Sequence, residues 1–533
     1  MISRFLKEVE MIKVSKKFFT TIATLVMALG WNICSAQIKE TPELVEKGEE
    51  VFKRECVVCH GEKAQGDGTA AYLLFPKPRN LTRSVFKVRS TPTGEPPTDE
   101  DLFRTLTEGL PGSAMPSFRS LTDEERRGLV SYVKKLANIS EAPERVINVS
   151  QEPAFTSSML TQGKEVYTKL KCWECHGNEG KGDGPSSLTT KDELGYPAPP
   201  NNFTRGIYKG GGSNSDIYLR FTTGMDGTPM PSYEDSVNEE ERWALVQYVR
   251  SLAGSKVAVQ PGGGDVVVKR VSGKVSLNPL SPVWGKVEAI KVQVMLLWQR
   301  QESVDSVSVK AVHNGKDIAF LLEWEDLSPQ ARFTRHQDFT DGAAVQFPVV
   351  PAGTTLFSMG AKEKTVNIWF WRADMQLDIE KKKFHDIEDS YAGMVSDDYQ
   401  LARDLYPKSI EKPLIQPIGA VIEQDPVYIT GWGAGNFVSI PKRKSPVENL
   451  NSEGFSTLTA RGIDEQNVNG QGIWDSGKWK VVFARSLSSE NKFDANFTPG
   501  QQIPIAFALW DGTQGDRNGQ KSVTPWYNLK IEK

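Results

Sequence analysis

The pentapeptides Cys56-Val57-Val58-Cys59-His60 and Cys172-Trp173-Glu174-Cys175-His176 each set two thiols three positions apart with an imidazole directly after the second. On a helical turn both sulfurs reach one edge of a porphyrin, where each thiol can add to a vinyl group. The histidine then projects beneath the iron as its proximal ligand. This spacing is the attachment signature of c-type haem. Four cysteines in an exported chain would ordinarily read as two disulfides. Here each pair sits inside its own Cys-x-x-Cys-His, and no cysteine other than Cys34 is left over. That accounting favours haem attachment at both sites.

The two pentapeptides head copies of one unit. Gly48-Glu49-Glu50-Val51-Phe52 upstream of the first corresponds to Gly163-Lys164-Glu165-Val166-Tyr167 upstream of the second. Downstream, Gly66-Asp67-Gly68 corresponds to Gly182-Asp183-Gly184, and Asn80-Leu81-Thr82-Arg83 to Asn202-Phe203-Thr204-Arg205. The copies close with Met115-Pro116-Ser117-Phe118 and Met230-Pro231-Ser232-Tyr233, at offsets of 116 residues at the cysteines and 115 at the methionines. This is an internal duplication. A sixth iron ligand should be a residue that both copies supply, which selects Met115 and Met230. Methionine opposite histidine raises the reduction potential and closes the iron to small ligands. Met225 rivals Met230, but the first copy has Leu110 at that place.

Each copy ends in an amphipathic helix expected over Asp123–Ala137 and Asn238–Ala253. Leu129, Val130, Val133 and Leu136 share one face, and Leu245, Val246, Val249 and Leu252 repeat the pattern. The Gly- and Pro-rich stretches between suit loops wrapped around a flat cofactor. Residues 41–138 and 157–254 resemble class I cytochrome c domains. The resemblance implies His60 and His176 as proximal and Met115 and Met230 as distal ligands. Arg83 and Arg205 are candidates to neutralise haem propionates.

The start of the chain reads as a secretion signal, with a basic opening at Lys13, Lys16 and Lys17, the apolar run Phe18 to Trp31, and small residues at Ser35 and Ala36. The run is short for a bilayer span, which needs about 20 apolar residues, and no other stretch would cross a membrane. Cleavage after residue 36 leaves 59 basic and 65 acidic residues, a net charge of −6. Nothing in this charge points to nucleic acid. The mildly acidic surface would suit a basic partner cytochrome.

Past the linker 257–265, with its Pro261-Gly262-Gly263-Gly264, the hydrophobic period changes from helical to alternating. One strand is expected over Ile290 to Trp298. A hairpin turning at Asn314-Gly315 is expected to join Val307–Val312 to Ile318–Trp324. Further strands are expected at Val366–Trp371, Trp479–Ala484 and Pro504–Leu509. The expected organisation is a signal peptide (1–36), two all-α cytochrome c domains (37–145 and 146–256), and an antiparallel β-sandwich over 266–533. His313, His336 and His385 show no metal-ligand spacing and read as surface or turn residues.

The segments DGAAVQFP (341–348), SMGAKEKTVNIWFWRAD (358–374), GKWKVVFARSL (477–487), FALWDG (507–512) and KSVTPWYNL (521–529) resemble a known family. It is the haem b-binding γ subunit of periplasmic molybdenum enzymes related to DMSO reductase, such as ethylbenzene dehydrogenase, selenate and chlorate reductases and nitrite oxidoreductase. The resemblance implies a non-covalent haem b ligated by Met359 and Lys521, with Met394 as the substitute for the methionine. A lysine ligates iron only as the neutral amine, so burial and the metal must depress its pKa. The resemblance further implies a periplasmic electron-transfer subunit that is not itself the enzyme. It would carry two haem c and one haem b between the iron–sulfur and molybdenum-containing catalytic subunits and a soluble cytochrome c, with nitrite oxidation or nitrate reduction as the chemistry of the whole complex. Two other functions fit parts of the chain. One is a dihaem peroxidase, which needs an open iron position that neither copy leaves. The other is a carbohydrate- or partner-binding sandwich using Trp369, Trp371, Trp432, Trp474 and Trp479, which read better as core.

Overall fold

In the computed structural model, residues 38–254, 264–300, 302–350, 359–382, 390–391, 434, 436–440 and 443–533 are described. The secretion signal, most of the linker, His385, Met394 and Trp432 fall outside them.

The first cytochrome unit is built from α1 (Pro42–Glu55), the short α2 (Val57–His60), α3 (Asp99–Glu108) and α4 (Asp123–Leu136). The second repeats it with α5 (Ser157–Lys169), α6 (Trp173–His176), α7 (Asn214–Thr223) and α8 (Glu239–Ser251). Local sequence explains the ends. Thr98, Thr122, Ser213 and Asn238 each cap their helix and exchange a reciprocal bond with the acid three residues on. In each unit the first and last helices cross where a glycine lets backbones touch. A Cβ on Gly48 would lie 1.9 Å from the Gly128 carbonyl oxygen, and one on Gly163 would lie 2.1 Å from that of Ala244. Next to each crossing an aromatic pair packs, Phe52 on Tyr132 and Tyr167 on Tyr248, with ring centroids 5.4 and 5.3 Å apart.

The chain then becomes β. The strands are β1 (Asp265–Arg270), β2 (Ile290–Gln293), β3 (Met295–Leu296), β4 (Ser306–His313), β5 (Asp317–Glu325), β6 (Gly342–Pro348) and β7 (Val366–Arg372). After α9 (Ala373–Lys381) follow β8 (Val447–Ser452), β9 (Thr459–Ala460), β10 (Asn469–Asp475), β11 (Lys478–Ser486), β12 (Gln502–Trp510), β13 (Ser522–Val523) and β14 (Tyr527–Ile531). The path runs β10-β11-β5-β4-β1-β14-β12-β6-β7-β8-β9. Strand β12 pairs with β14 through Gln502–Ile505 and with β6 through Ala506–Trp510, so one strand serves both layers of the sandwich. Between the layers, Phe320, Trp324 and Trp479 meet Phe347, Trp369 and Trp371, all at most 4% exposed.

The hairpin of β4 and β5 forms as the Asn-Gly turn predicts. Three expectations are corrected. Strand β1 lies parallel to both β4 and β14, because it enters from a helical domain with no hairpin partner of its own. The run 290–298 is not one strand: β2 pairs with β4 and β3 with β13, so the alternation spans a change of partner. His313 ends β4 fully buried rather than lying at the surface.

Candidate haem sites

Each attachment pentapeptide forms the single turn α2 or α6. The histidine that follows is oriented from below by a backbone carbonyl. His60 Nδ1 lies 2.8 Å from the Arg79 oxygen and His176 Nδ1 lies 3.0 Å from the Asn201 oxygen. Donation from Nδ1–H leaves Nε2 free to face an iron. Burial also lowers both histidine pKa values, which favours the neutral ring that ligation needs. Phe203 stacks on the His176 ring at 4.3 Å. None of the four cysteines is paired in a disulfide, and burial raises each thiol above its ordinary pKa, Cys59 to about 11 and Cys172 to about 12.

The methionine loops are superimposable in their bonding. Leu110 N–H donates to the Met115 carbonyl at 3.0 Å and Met225 N–H to that of Met230 at 3.1 Å. Ser117 and Ser232 hydroxyls donate to the Thr107 and Thr222 carbonyls at 2.6 and 2.7 Å. Met225 thus has the place of Leu110, and its backbone holds the loop. Met230, Cys172, Trp173 and Phe203 pack against one hydrophobic cluster of the second unit.

In the first unit Cys56, Cys59, His60 and Met115 line a cavity of about 710 Å³ whose far wall belongs to the sandwich. Small-molecule sites commonly run to about 1,000 Å³. The far wall includes Ala344, Ile368, Phe370, Leu450, Trp510 and both members of the sequence-inferred pair, Met359 and Lys521. Met359 Sδ lies 3.9 Å from Lys521 Nζ, although the two residues are 162 positions apart. Met359 has φ 66°, a left-handed conformation that a methionine rarely adopts, just before Gly360 at φ 78°. Burial depresses the Lys521 pKa to about 8, and its ammonium sits 4.8 Å above the Trp510 ring. The donor set and the apolar walls therefore fit a porphyrin between thioether and amine.

Sequence reasoning missed the seam that makes these walls continuous. Phe75 of the first unit and Trp298 form a parallel bridge, with Phe75 N–H donating to Leu297 O at 2.9 Å and Gln299 N–H to Phe75 O at 2.7 Å. Leu297 N–H in turn donates to the Lys521 carbonyl at 3.3 Å. These are backbone contacts and leave no side-chain signature. The same holds for the carbonyls of Arg79 and Asn201 beneath the histidines.

Neither Arg83 nor Arg205 lines this cavity. Arg83 pairs with Glu193 at 3.3 Å, and Arg205 grips Asp305 and the Ser303 hydroxyl of the sandwich. Three of the five tryptophans, Trp369, Trp371 and Trp479, are core residues, and Trp474 is half-buried. No helix among the described residues is long and apolar enough to cross a membrane.

Comparison with known proteins identifies the parts. Residues 43–133 match the family of cytochrome C oxidase, cbb3-type, subunit III, residues 160–253 match cytochrome c, and residues 281–522 match ethylbenzene dehydrogenase. The chain is thus similar to cytochrome c proteins over two successive regions and to ethylbenzene dehydrogenase over a third, C-terminal one. Its relatives include the putative respiratory nitrate reductase heme subunit ORF7 of Haloferax mediterranei, 22% identical over 54% of this chain and 79% of its own length. Chlorate reductase subunit gamma of Ideonella dechloratans is 23% identical over 53% of this chain and 90% of its own. Among solved structures, a chain of the Kuenenia stuttgartiensis reducing HAO-like protein complex is 45% identical over 39% of this chain and 96% of that one, with a TM-score of 0.38.

Proposed function

We propose that the protein is an exported electron-transfer subunit with three haem sites: haem c at Cys56/Cys59 with His60 and Met115, haem c at Cys172/Cys175 with His176 and Met230, and haem b between Met359 and Lys521. Such haems, when bound, exchange single electrons. On this reading the chain links the iron–sulfur and molybdenum-containing catalytic subunits of an oxidoreductase of nitrogen or chlorine oxyanions to a soluble cytochrome. Substrate chemistry then belongs to the partner.

One observation carries the proposal: a single cavity is lined by the attachment residues of the first cytochrome unit and, opposite, by Met359 and Lys521. Two redox sites that share one apolar enclosure need no further protein between them. Among the described residues of the second unit only Lys209, and no residue of its attachment pentapeptide, lines that cavity, so on this reading the order of sites runs from the sandwich through the first unit to the second.

The test is haem content of the protein purified from native membranes or periplasm. A pyridine haemochrome should give two c-type and one b-type haem. Met359→Ala and Lys521→Ala should lose the b-type signal and retain both c-type signals on a haem-stained denaturing gel. A b-type signal that both variants retain would overturn the assignment. Co-purification with molybdenum and iron tests the partners, and their absence from an intact native complex would overturn that part.

A further inference from the structure

Of the cations that line the cavity besides Lys521, Lys77 donates to the Ala71 carbonyl and Arg79 pairs with Glu193, which leaves Lys87 and Lys209, and these two come from the same place in the duplication. Lys87 lies four residues after Arg83 and Lys209 four residues after Arg205, so the two lysines are repeat equivalents. Both line the cavity of the first unit, Lys209 reaching it from the second unit. Each is half-buried, and neither ammonium has an ion pair or hydrogen bond among the described residues. The acids that face Lys87 are engaged elsewhere. Glu193 pairs with Arg79 at 2.7 Å and with Arg83, and Asp192 accepts from the backbone N–H groups of Leu194 and Tyr196 at 3.0 and 2.9 Å.

The segments carrying the lysines are held rigidly against each other. Arg220 donates to the carbonyls of Lys87 and Arg89 at 3.3 and 2.6 Å, and a Cβ on Gly210 would meet Val88 at 3.0 Å. Two ammonium groups brought together in an apolar enclosure without a counter-charge are costly. Burial and mutual repulsion push Lys87 down to about 7, and burial with the Arg79 charge pushes Lys209 to about 8. An anion of two carboxylates entering the cavity would relieve both.

We infer that Lys87 and Lys209 bind the propionate carboxylates of the haem attached at Cys56 and Cys59, so that the second cytochrome unit completes the first unit's cofactor site. The inference rests on haem c being attached there. It replaces Arg83 in the role of propionate partner for that haem. A consequence is electrostatic: two cations beside the porphyrin favour its reduced form and hold up its potential.

The experiment is a spectroelectrochemical titration of the full-length holoprotein carrying Lys87→Met, Lys209→Met or Lys209→Arg. Each c-type haem is assigned beforehand by the shift that Met115→Ala or Met230→Ala produces. Lys209→Met and Lys87→Met should each lower the midpoint of the first c-type haem by the equivalent of about tenfold in its redox equilibrium, about 59 mV for one electron. Lys209→Arg should retain most of it. Haem-stained gels should show covalent haem unchanged in all three. An unmoved first-haem midpoint in either methionine variant, or a shift that falls on the b-type or second c-type haem instead, would overturn the clamp. Loss of covalent haem stain already in the unsubstituted protein would sink the haem c reading itself. If Lys209→Met does not fold, the Lys87→Met midpoint decides the matter.

Discussion

A methionine that ligates iron and one that merely fills a gap look alike in composition, and the difference lies in what fixes the sulfur. Met115 is fixed twice: its carbonyl accepts from Leu110, and its N–H donates to the Ser113 hydroxyl at 3.3 Å. On the proposed assignment, Met115→Ala removes a ligand that raises the potential while leaving that loop's backbone bonds intact. The first c-type haem should therefore titrate at a lower potential and lose the far-red charge-transfer band of a sulfur-ligated ferric haem. An unchanged optical spectrum in the oxidised variant would remove Met115 from the iron. At this scale the proposed roles of the cysteines, histidines and methionines are written in the sequence, since each would act through its own chemical group. Those of Arg79 and Asn201 are not, because they act through carbonyls that every residue possesses. The histidines needed both kinds of partner.

Elements of the sandwich carry a tension that no alternating pattern reveals. Asp326 just past β5, Asp341 just before β6 and Asp511 just after β12 bring their carboxylates within 4.8 Å of one another. Asp341 is wholly buried and accepts from Gln330 and Gly512 N–H and from the Trp479 indole. Asp326 is 7% exposed, and its Oδ2 has no partner. Desolvation, and after it the neighbouring carboxylates, raises the pKa of both above the ordinary carboxylate range. A raised folded-state pKa means that the folded protein holds its proton longer than the unfolded chain. The resulting stability is complete below the unfolded value near 4 and is lost as pH climbs through the folded value. Asp326→Asn, melted in EDTA, should gain little at pH 4.5 and about 1 kcal/mol or more at pH 8. A margin that is equal at both pH values would show that the Asp326 pKa is not raised in the folded protein. Sequence named strands at β5 and β12 and none at β6, and it could not show the cluster, which exists only because the end of β5, the start of β6 and the end of β12 come together.

At the scale of the whole molecule, arginine ion pairs join the units alongside the Phe75–Trp298 seam. Arg89 is 0% exposed, pairs with Asp226 at 2.8 Å and donates to the carbonyl of Thr223 at 2.7 Å. Arg104 bonds Asp216, and Arg205 ties the second unit to Asp305 of the sandwich. Removing one member of a buried pair strands the other and costs about 3–5 kcal/mol. Arg89→Ala should therefore raise hydrogen exchange at residues 86–94 and 222–227 while leaving α1 and α4 protected. Protection unchanged across both segments would show that the junction does not depend on this arginine.

What the sequence determined by itself is the chemistry and the parts. The proposed attachment sites and sixth ligands, the repeat, the hairpin and the change from helical to alternating period are all local, written within a few residues by bonding capacity and side-chain spacing. Only the tertiary structure decided what lies beside what. Met359 comes within 3.9 Å of Lys521, and both share a cavity with His60, through the Phe75–Trp298 seam. Distance between residues far apart in the chain is set by packing and by backbone bonds between strangers, and neither leaves a pattern in the order of amino acids.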